Sequence, residues 1–396
     1  MQAYNFSDKI ANLKPSAIRE IFKSLTDPTI ISFAAGNPSP ESFPVPDLER
    51  LSADIFKNES TSALQYGLTE GYTPLRCDIE KRQKEIFSIG KDFDETIVVS
   101  GGQQGIELAC KVFCNEGDTV VCEDPSFIGA LNSFRSCGAK TVGVELLDDG
   151  LDTEALERTF KETHPKLLYV IPTFQNPTGI TTSLEKRKKI YALAKKYSVI
   201  ILEDNPYGEL RFGGEEIPTI KSMDTDGIVI YCSSFSKILS AGMRVGFVVA
   251  PKEITTKMVV AKQAEDVHTN IFFQMLCHKF LTECDLEAHL QGIRDLYRRK
   301  ARLMLDALDA NMPKEVSFTR PDGGLFVWCT LPKSMGIDCE AFAKKALQKK
   351  VAVVPGSTFN CDTSAPSLSF RLNFSTPSDE QIVEGVRRLG EVFREL

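Results

Sequence analysis

Short runs of β-branched and apolar residues alternate with helical patterns from residue 95 onward, and this alternation constrains the fold more than any other feature. Seven runs predict strands: Ile97–Ser100, Thr119–Cys122, Thr141–Val144, Leu167–Ile171, Val199–Leu202, Ile228–Cys232 and Val245–Val249. Segments between them, such as Leu184–Tyr197, have the spacing of amphipathic helices. The pattern predicts an α/β fold with a doubly wound, mostly parallel seven-stranded sheet. In such sheets ligands bind beyond the carboxyl ends of the strands.

The pattern changes after about residue 284. Apolar residues at steps of three and four from Leu286 to Leu308 predict one long helix, and Ser378 and Gln381 have capping-box spacing before a final helix. Between the two helices lie three predicted strands, Gly324–Cys329, Val351–Val354 and Ser367–Asn373. We expect an N-terminal arm with a helix over residues 1–45, which is part of the small domain. A large domain over 46–283 and a small α+β domain over 284–396 follow.

Composition argues against several classes of function. The 396 residues carry a net charge of −7 without a block of like charge, so we expect no nucleic-acid partner. No apolar run approaches the roughly 18 residues of a membrane span, and the first residues lack the apolar core of a signal peptide. The eleven cysteines never form a C-x-x-C pair, and nothing has zinc-ligand spacing. We therefore expect a cytoplasmic protein without a metal site.

The segment Ser233–Lys237, directly after a predicted strand, is the strongest candidate for chemistry. Its serine hydroxyls, together with Arg244, suit a phosphate group, which binds directional donors and positive charge. The segment Ser100–Gly105 also follows a strand, and glycines at the start of a helix let backbone N–H groups approach an anion. A Walker A motif is absent. The alternatives are an exposed lysine in a serine-rich loop and an ordinary strand-to-helix turn.

Three further residues are candidates because their positions are costly without a partner. Asp204 follows the apolar strand Val199–Leu202, where a carboxylate needs a cation or a donor, although it could simply cap the next turn. Asn176 lies in an Asn-Pro-Thr-Gly segment that is also an ordinary turn. Arg371 interrupts an apolar strand, where either a substrate carboxylate or a structural salt bridge would pair with it.

Together the segments PxxxNPTG, EDNPY, SFSKxxxxGxRxG and SFRLNF resemble the fold-type I, class I aminotransferases, over almost the whole length and in the family's order. The segments SxIREIxK, ISFAAGNPSPESFP and QYGLTEGYTPLR are most similar to one subgroup. That subgroup contains 2-aminoadipate and kynurenine aminotransferases and the aminotransferase domains of MocR-type regulators.

The resemblance implies pyridoxal 5′-phosphate as the cofactor, with Lys237 as its Schiff-base lysine. Asp204 would face the pyridine nitrogen, and Asn176 and Tyr207 would bond the phenolic oxygen of the ring. The resemblance assigns to the phosphate site Gly102, Gln103, Ser234, Ser236 and Arg244.

Other matched positions concern the ring face, the partner subunit and the substrate. Phe127 would stack on the ring, and Tyr66 would reach the neighbouring subunit's phosphate, which implies a homodimer with shared active sites. Arg371, with Gly36 and Asn176 beside it, would bind the substrate α-carboxylate. Arg19 would meet the distal carboxylate of an acidic substrate; the alternative is a solvated arginine on an arm.

We therefore expect an aminotransferase with ping-pong kinetics. Its donor would be 2-aminoadipate or an aromatic or large apolar L-amino acid, and its acceptor 2-oxoglutarate. The same apparatus could run β-elimination or racemisation, because the cofactor stabilises the carbanion and only the next step differs. A second alternative is an effector-sensing module like that of the MocR regulators. We expect an enzyme instead, since only about forty residues precede the aminotransferase-like part.

Overall fold

A mixed sheet of eight strands forms the centre of the structure, a computed structural model that describes residues 4–11 and 27–396. Its strands in spatial order are β2 (Asp94–Val99), β9 (Gly246–Pro251), β8 (Val229–Ser234), β7 (Ile200–Asp204), β6 (Leu167–Val170), β3 (Thr119–Asp124), β4 (Lys140–Leu147) and β5 (Gly150–Leu151). Strands β8, β7, β6, β3 and β4 are parallel, whereas β9 is antiparallel to both neighbours. The seven predicted strands are confirmed. The eighth, β5, was missed because it is a two-residue partner of β4.

Helices flank this sheet and make up much of the rest of the chain. Those of the described residues are α1 (Asp8–Ala11), α2 (Val45–Asn58), α3 (Ser60–Leu64), α4 (Thr73–Phe87), α5 (Gly102–Phe113), α6 (Ile128–Ser136), α7 (Thr153–Thr163), α8 (Leu184–Tyr197), α9 (Lys252–Gln263), α10 (Ile271–Glu283), α11 (Leu286–Asn311), α12 (Cys339–Gln348) and α13 (Asp379–Arg394). Short 3-10 helices cover Pro40–Ser42, Lys221–Met223, Lys333–Met335 and Gly356–Phe359. The predicted helical stretch around Pro15–Leu25 lies outside the described residues.

Each face of the sheet has its own apolar core, because successive residues of a strand point to opposite faces. In β6, Leu167 and Tyr169 pack on one face with residues of α5 and α6. Leu168 and Val170 pack on the other face with residues of α7 and α8. Helices on both faces make the sheet doubly wound, as the alternation of strands and helices predicted.

A second, antiparallel sheet lies in the C-terminal part of the chain. Its order is β10 (Ser317–Phe318), β11 (Phe326–Thr330), β14 (Ser369–Asn373) and β13 (Val354–Pro355). The predicted strand over Val351–Val354 is divided, because β12 (Val351–Ala352) pairs instead with β1 (Ile31–Ser32) of the N-terminal segment. The long helix and the capping box at Ser378 are confirmed.

The carboxyl ends of the parallel strands place the candidate residues at one edge of the large sheet. Asp204 ends β7 and Ser234 ends β8, while Asn176 follows β6. Within residues 4–11 and 27–396, no helix has the length and apolar character needed to span a bilayer.

Candidate active site

Lys237 lies three residues beyond the end of β8 and is half-buried. Its Nζ donates a hydrogen bond of 2.7 Å to the carbonyl oxygen of Gly36, which brings the N-terminal segment to the sheet edge. Burial, followed by the charges of Arg371 and Arg244, lowers the pKa of Lys237 to about 8. A sizeable fraction of the amine is therefore neutral close to physiological pH, as a nucleophile or a base must be.

Asp204 is only 4% exposed. Among the described side chains it has one hydrogen bond, which the Tyr169 hydroxyl donates to Oδ2 at 2.8 Å. Burial raises the pKa of Asp204 to about 7, against the opposing effect of the Tyr169 hydrogen bond. Gly102 lies beside Asp204, since a Cβ there would be 4.0 Å from Oδ1. A buried carboxyl group of this kind is stabilised as the anion by a cationic partner, such as a protonated ring nitrogen.

Hydroxyl groups and an exposed arginine form a cradle beside the start of α5. Ser234 Oγ donates to Ser236 Oγ at 2.7 Å, and Arg244 Nη1 donates to the same oxygen at 3.4 Å. Gly101 has a φ of +80°, and a Cβ there would collide with Arg244 Nη2, so this position requires glycine. The first N–H groups of α5 lack helical partners. The cradle thus offers hydroxyls, backbone N–H groups and one positive charge to an anion.

Arg371, on β14, is 2% exposed yet makes no salt bridge to any described residue. Its Nη1 donates to Asn176 Oδ1 and its Nη2 to the Ala34 carbonyl oxygen, both at 2.8 Å, and Nε has no partner in the described part of the chain. The guanidinium carbon lies 4.2 Å from the ring centre of Phe326 and 5.0 Å from that of Phe359. Burial lowers the pKa of Arg371 to about 10, so the group stays charged at neutral pH. Arg371 therefore forms no structural salt bridge with a described residue, which was the alternative interpretation of its sequence.

Tyr207 and Asn176 join this cluster. Both are almost fully buried, and the Tyr207 ring meets the edge of Phe326 at 5.9 Å between ring centres. Burial raises the pKa of Tyr207, although the charge of Arg371 opposes it, so the phenol remains a hydrogen-bond donor. The structure therefore brings Asn176, Tyr207 and Arg371 together.

Phe127 and Gln103 both lie against Gly129, because a Cβ at Gly129 would collide with both side chains. Phe127 is half-buried at the start of α6. The side-chain nitrogen of Gln103 is already bonded to the Gly129 carbonyl at 2.8 Å and to Ser133 Oγ at 2.6 Å. What Gln103 can offer to a phosphate is therefore its backbone N–H in the first turn of α5.

One predicted residue, Tyr66, does not join the cluster. Tyr66 is 81% exposed, and its ring contacts His268 edge-on at 5.7 Å between ring centres. This position fits a residue that acts on another subunit. Arg19 lies outside the described residues.

Sequence reasoning missed Tyr169 and Phe326. Tyr169 carries the one side-chain hydroxyl in an otherwise apolar strand, which is a weak signal that a polar partner is nearby. Its partner Asp204 could be found only from the register of β6 and β7, which pairs Tyr169 with Leu202. Phe326 carries no sequence signal, because an apolar residue in a strand is the ordinary case.

The fold and the site together define a pyridoxal-phosphate enzyme of fold type I. A family model for "Aminotransferase class I and II" matches residues 28–389. Aromatic-amino-acid aminotransferase 1 of Thermococcus litoralis is 39% identical over 395 residues, covering 98% of this chain and 94% of that protein. The chain belongs to the class I and II aminotransferases.

Solved structures support this assignment. The multiple substrate aminotransferase of Thermococcus profundus has a TM-score of 0.94 at 38% identity, covering 98% of this chain and 97% of that one. The α-aminoadipate aminotransferase of Thermus thermophilus, complexed with N-(5′-phosphopyridoxyl)-L-leucine, has a TM-score of 0.90 at 40% identity, with the same coverage. The cofactor is pyridoxal 5′-phosphate. The residues present fit it, since Asp204 has no cationic partner among residues 4–11 and 27–396 and the cradle offers donors to a phosphate.

Proposed function

We propose that the enzyme transfers the amino group of an L-amino acid to 2-oxoglutarate by a ping-pong mechanism. The donor would be 2-aminoadipate or an aromatic or large apolar amino acid. The observation that carries this proposal is one buried amine near two guanidinium groups. Lys237 donates to the carbonyl of Gly36 and Arg371 to that of Ala34, in the same short segment. Arg244 donates to Ser236, the residue before Lys237. Lys237 lies close enough to Arg371 and Arg244 for both charges to lower its pKa. One arginine would bind the substrate carboxylate and the other the cofactor phosphate.

Lys237 would hold the cofactor covalently and, once released by the incoming amino acid, would move the proton of the substrate Cα. When bound, pyridoxal phosphate supplies an electron sink that makes this proton acidic enough to remove. The amine must be neutral to accept it, and burial beside two cations favours the neutral form. Lys237 would thus serve both as attachment point and as base.

Asp204 would keep the ring nitrogen protonated, with the Tyr169 hydroxyl holding the carboxylate in place. Asn176 and Tyr207 would donate to the phenolic oxygen of the ring, and Phe127 would cover one ring face. Gly102, Gln103, Ser234, Ser236 and Arg244 would bind the phosphate. These roles are supported by the burial of Asp204, which no cation of the described part of the chain contacts, and by the donors of the cradle.

Arg371 would bind the α-carboxylate common to all substrates. Each terminal nitrogen already donates one N–H within the protein and keeps one for a ligand, which suits a bidentate contact. Gly36 would line this end of the site, because a Cβ there would lie only 3.2 Å from Phe326. Arg19 would discriminate acidic substrates by their distal carboxylate. Support for this donor range comes from relatives named for aromatic amino acids and α-aminoadipate.

We also propose a homodimer with shared sites, in the cytoplasm. Tyr66 has apolar neighbours that are also exposed, Leu64 at 74% and Leu68 at 59%, and exposed apolar patches of this kind mark interfaces. The cytoplasmic location is supported by eleven cysteines that are all free thiols. We also propose the division into an N-terminal arm over residues 1–45, a large domain over 46–283 and a small domain over 284–396.

A half-reaction tests the proposed activity. Holoenzyme mixed with one amino donor, without acceptor, should release the matching 2-oxo acid and convert the cofactor to its aminated form. A lyase would release ammonia and leave the cofactor spectrum unchanged, and an effector-sensing module would bind without releasing product. A panel of donors against 2-oxoglutarate should then rank acidic, aromatic and large apolar amino acids above small ones. Release of ammonia, or binding without release of a product, would contradict the proposed aminotransferase activity.

A further inference from the structure

Lys262, in α9, is fully buried behind the phosphate cradle, and no step proposed above uses it. Its Nζ donates to Gln104 Oε1 at 2.7 Å, to the two carboxylate oxygens of Asp266 at 2.8 and 2.9 Å, and to Thr269 Oγ1 at 3.0 Å. A buried ammonium group is costly unless its N–H groups are satisfied, and here three residues satisfy them.

Ser100 bonds to the same three residues. Its N–H donates to Gln104 Oε1 at 2.8 Å, and its hydroxyl donates to Asp266 Oδ2 at 2.6 Å. The hydroxyl also lies 3.0 Å from Thr269 Oγ1. Lys262 therefore bonds to the same three side chains that bond to Ser100, although the two residues make no direct hydrogen bond.

Ser100 in turn fixes the cradle. Its carbonyl oxygen accepts a 3.3 Å hydrogen bond from Arg244 Nη2, and it directly precedes Gly101 and Gly102, where α5 begins. Because the Arg244 guanidinium packs against Gly101 with no room for a Cβ, movement of Ser100 would displace both the guanidinium and the helix N–H groups.

The same lysine holds a strained turn. Val267 lies between Asp266 and Thr269 with a φ of +64°, a conformation that β-branched residues rarely adopt. Such strain persists only where surrounding contacts fix it, and Lys262 contacts the residues on both sides of Val267. Without these contacts, the turn would no longer be held in this conformation beside the cradle.

We propose that Lys262 is a positioning residue for the cofactor phosphate, acting through Ser100 on the N–H groups of α5 and on Arg244. The inference rests on the cradle of the proposed function. It requires that replacing Lys262 weakens the binding of ligands with a phosphate and leaves unchanged the binding of ligands without one. A purely structural buried lysine would affect both alike.

The test compares the binding of pyridoxal phosphate and of pyridoxal, which lacks the phosphate, to full-length apoenzyme. Lys262→Met should raise the dissociation constant of pyridoxal phosphate by at least about tenfold, because donors to a charged group lose their alignment. The dissociation constant of pyridoxal should change by less than about twofold. Lys221→Met is the matched control, since Lys221 is also fully buried and bonds to Asp94 at 2.6 Å and Asp224 at 3.0 Å. That variant should lower the melting temperature and leave both dissociation constants unchanged.

Thr269→Val provides a second, milder test, because it removes one hydroxyl that bonds to both Lys262 and Ser100 with little change in shape. It should show the same preference for phosphate-dependent loss, at smaller size. Equal weakening of both ligands in the two variants, or no weakening of either, would overturn the inference. Wild-type protein that binds pyridoxal phosphate no better than pyridoxal would overturn the cradle itself, and the inference with it.

Discussion

The phosphate cradle and the carboxylate site around Arg371 are both built on an arginine, yet they are constructed in opposite ways. Arg244 is exposed and donates to two short segments, at Ser100 and Ser236, each at the end of a strand of the large sheet. Arg371 is buried, and its contacts come from Ala34, Asn176 and two phenylalanines far apart in the chain. The cradle can form from local sequence, whereas the carboxylate site exists only when the N-terminal segment and both sheets are in place.

Asp204 belongs to neither region, and removing it should have the largest effect. Asp204→Ala should keep both arginine sites and bind the cofactor more weakly. Its kcat should fall by about 10²–10³-fold, because a preorganised charge facing the ring is lost. Steady-state kinetics at saturating cofactor would measure this. An unchanged kcat would mean that Asp204 is only a residue of the turn.

Substitutions of the two arginines should change two different affinities, that for the amino donor and that for the cofactor. Arg371→Leu should raise KM for every amino donor by at least about tenfold, since a charge-assisted contact is lost, and leave the cofactor dissociation constant unchanged. Arg244→Leu should raise the dissociation constant of the cofactor and leave KM for the amino donors unchanged. Measuring both constants in both variants would test the comparison directly. If each variant affected both constants equally, the two regions would not be independent sites.

Much of this contrast could be predicted from the sequence, and the reason lies in how local each part is. The segments around Lys237 and Gly102 contain their own donors in order, so a motif is enough to find them. The environment of Arg371 could not be predicted, because Phe326 and Phe359 are ordinary apolar residues until the fold places them beside a guanidinium. Likewise the division of the predicted strand Val351–Val354 depends on two partners, β1 and β14, that its own sequence does not specify.

Arg19 should extend the comparison to the substrate side chain. Arg19→Ala should lower kcat/KM for 2-aminoadipate by about tenfold or more, the loss of one charge-assisted contact. An aromatic donor should be little affected in its own half-reaction, and it serves as the internal control. An equal fall for both donors would make Arg19 structural.

The smallest expected effect is a pH dependence of stability. Because burial raises the pKa of Asp204 to about 7, the folded apoenzyme binds a proton there that the unfolded chain has released. The free energy of unfolding should therefore fall as the pH rises from about 4 to about 7. Asp204→Asn should remove this part of the dependence, which thermal melts of apoenzyme at several pH values would measure. If the melting temperatures of wild type and Asp204→Asn changed with pH in the same way across that range, a raised pKa of Asp204 would be contradicted.

Reduction of the holoenzyme with borohydride, followed by peptide mapping, tests the central claim most directly. The account predicts that the reduced cofactor is attached to the peptide containing Lys237. It also predicts that Lys237→Ala stays folded, loses the label and has no transaminase activity. A label on another lysine, or full activity in Lys237→Ala, would contradict the account.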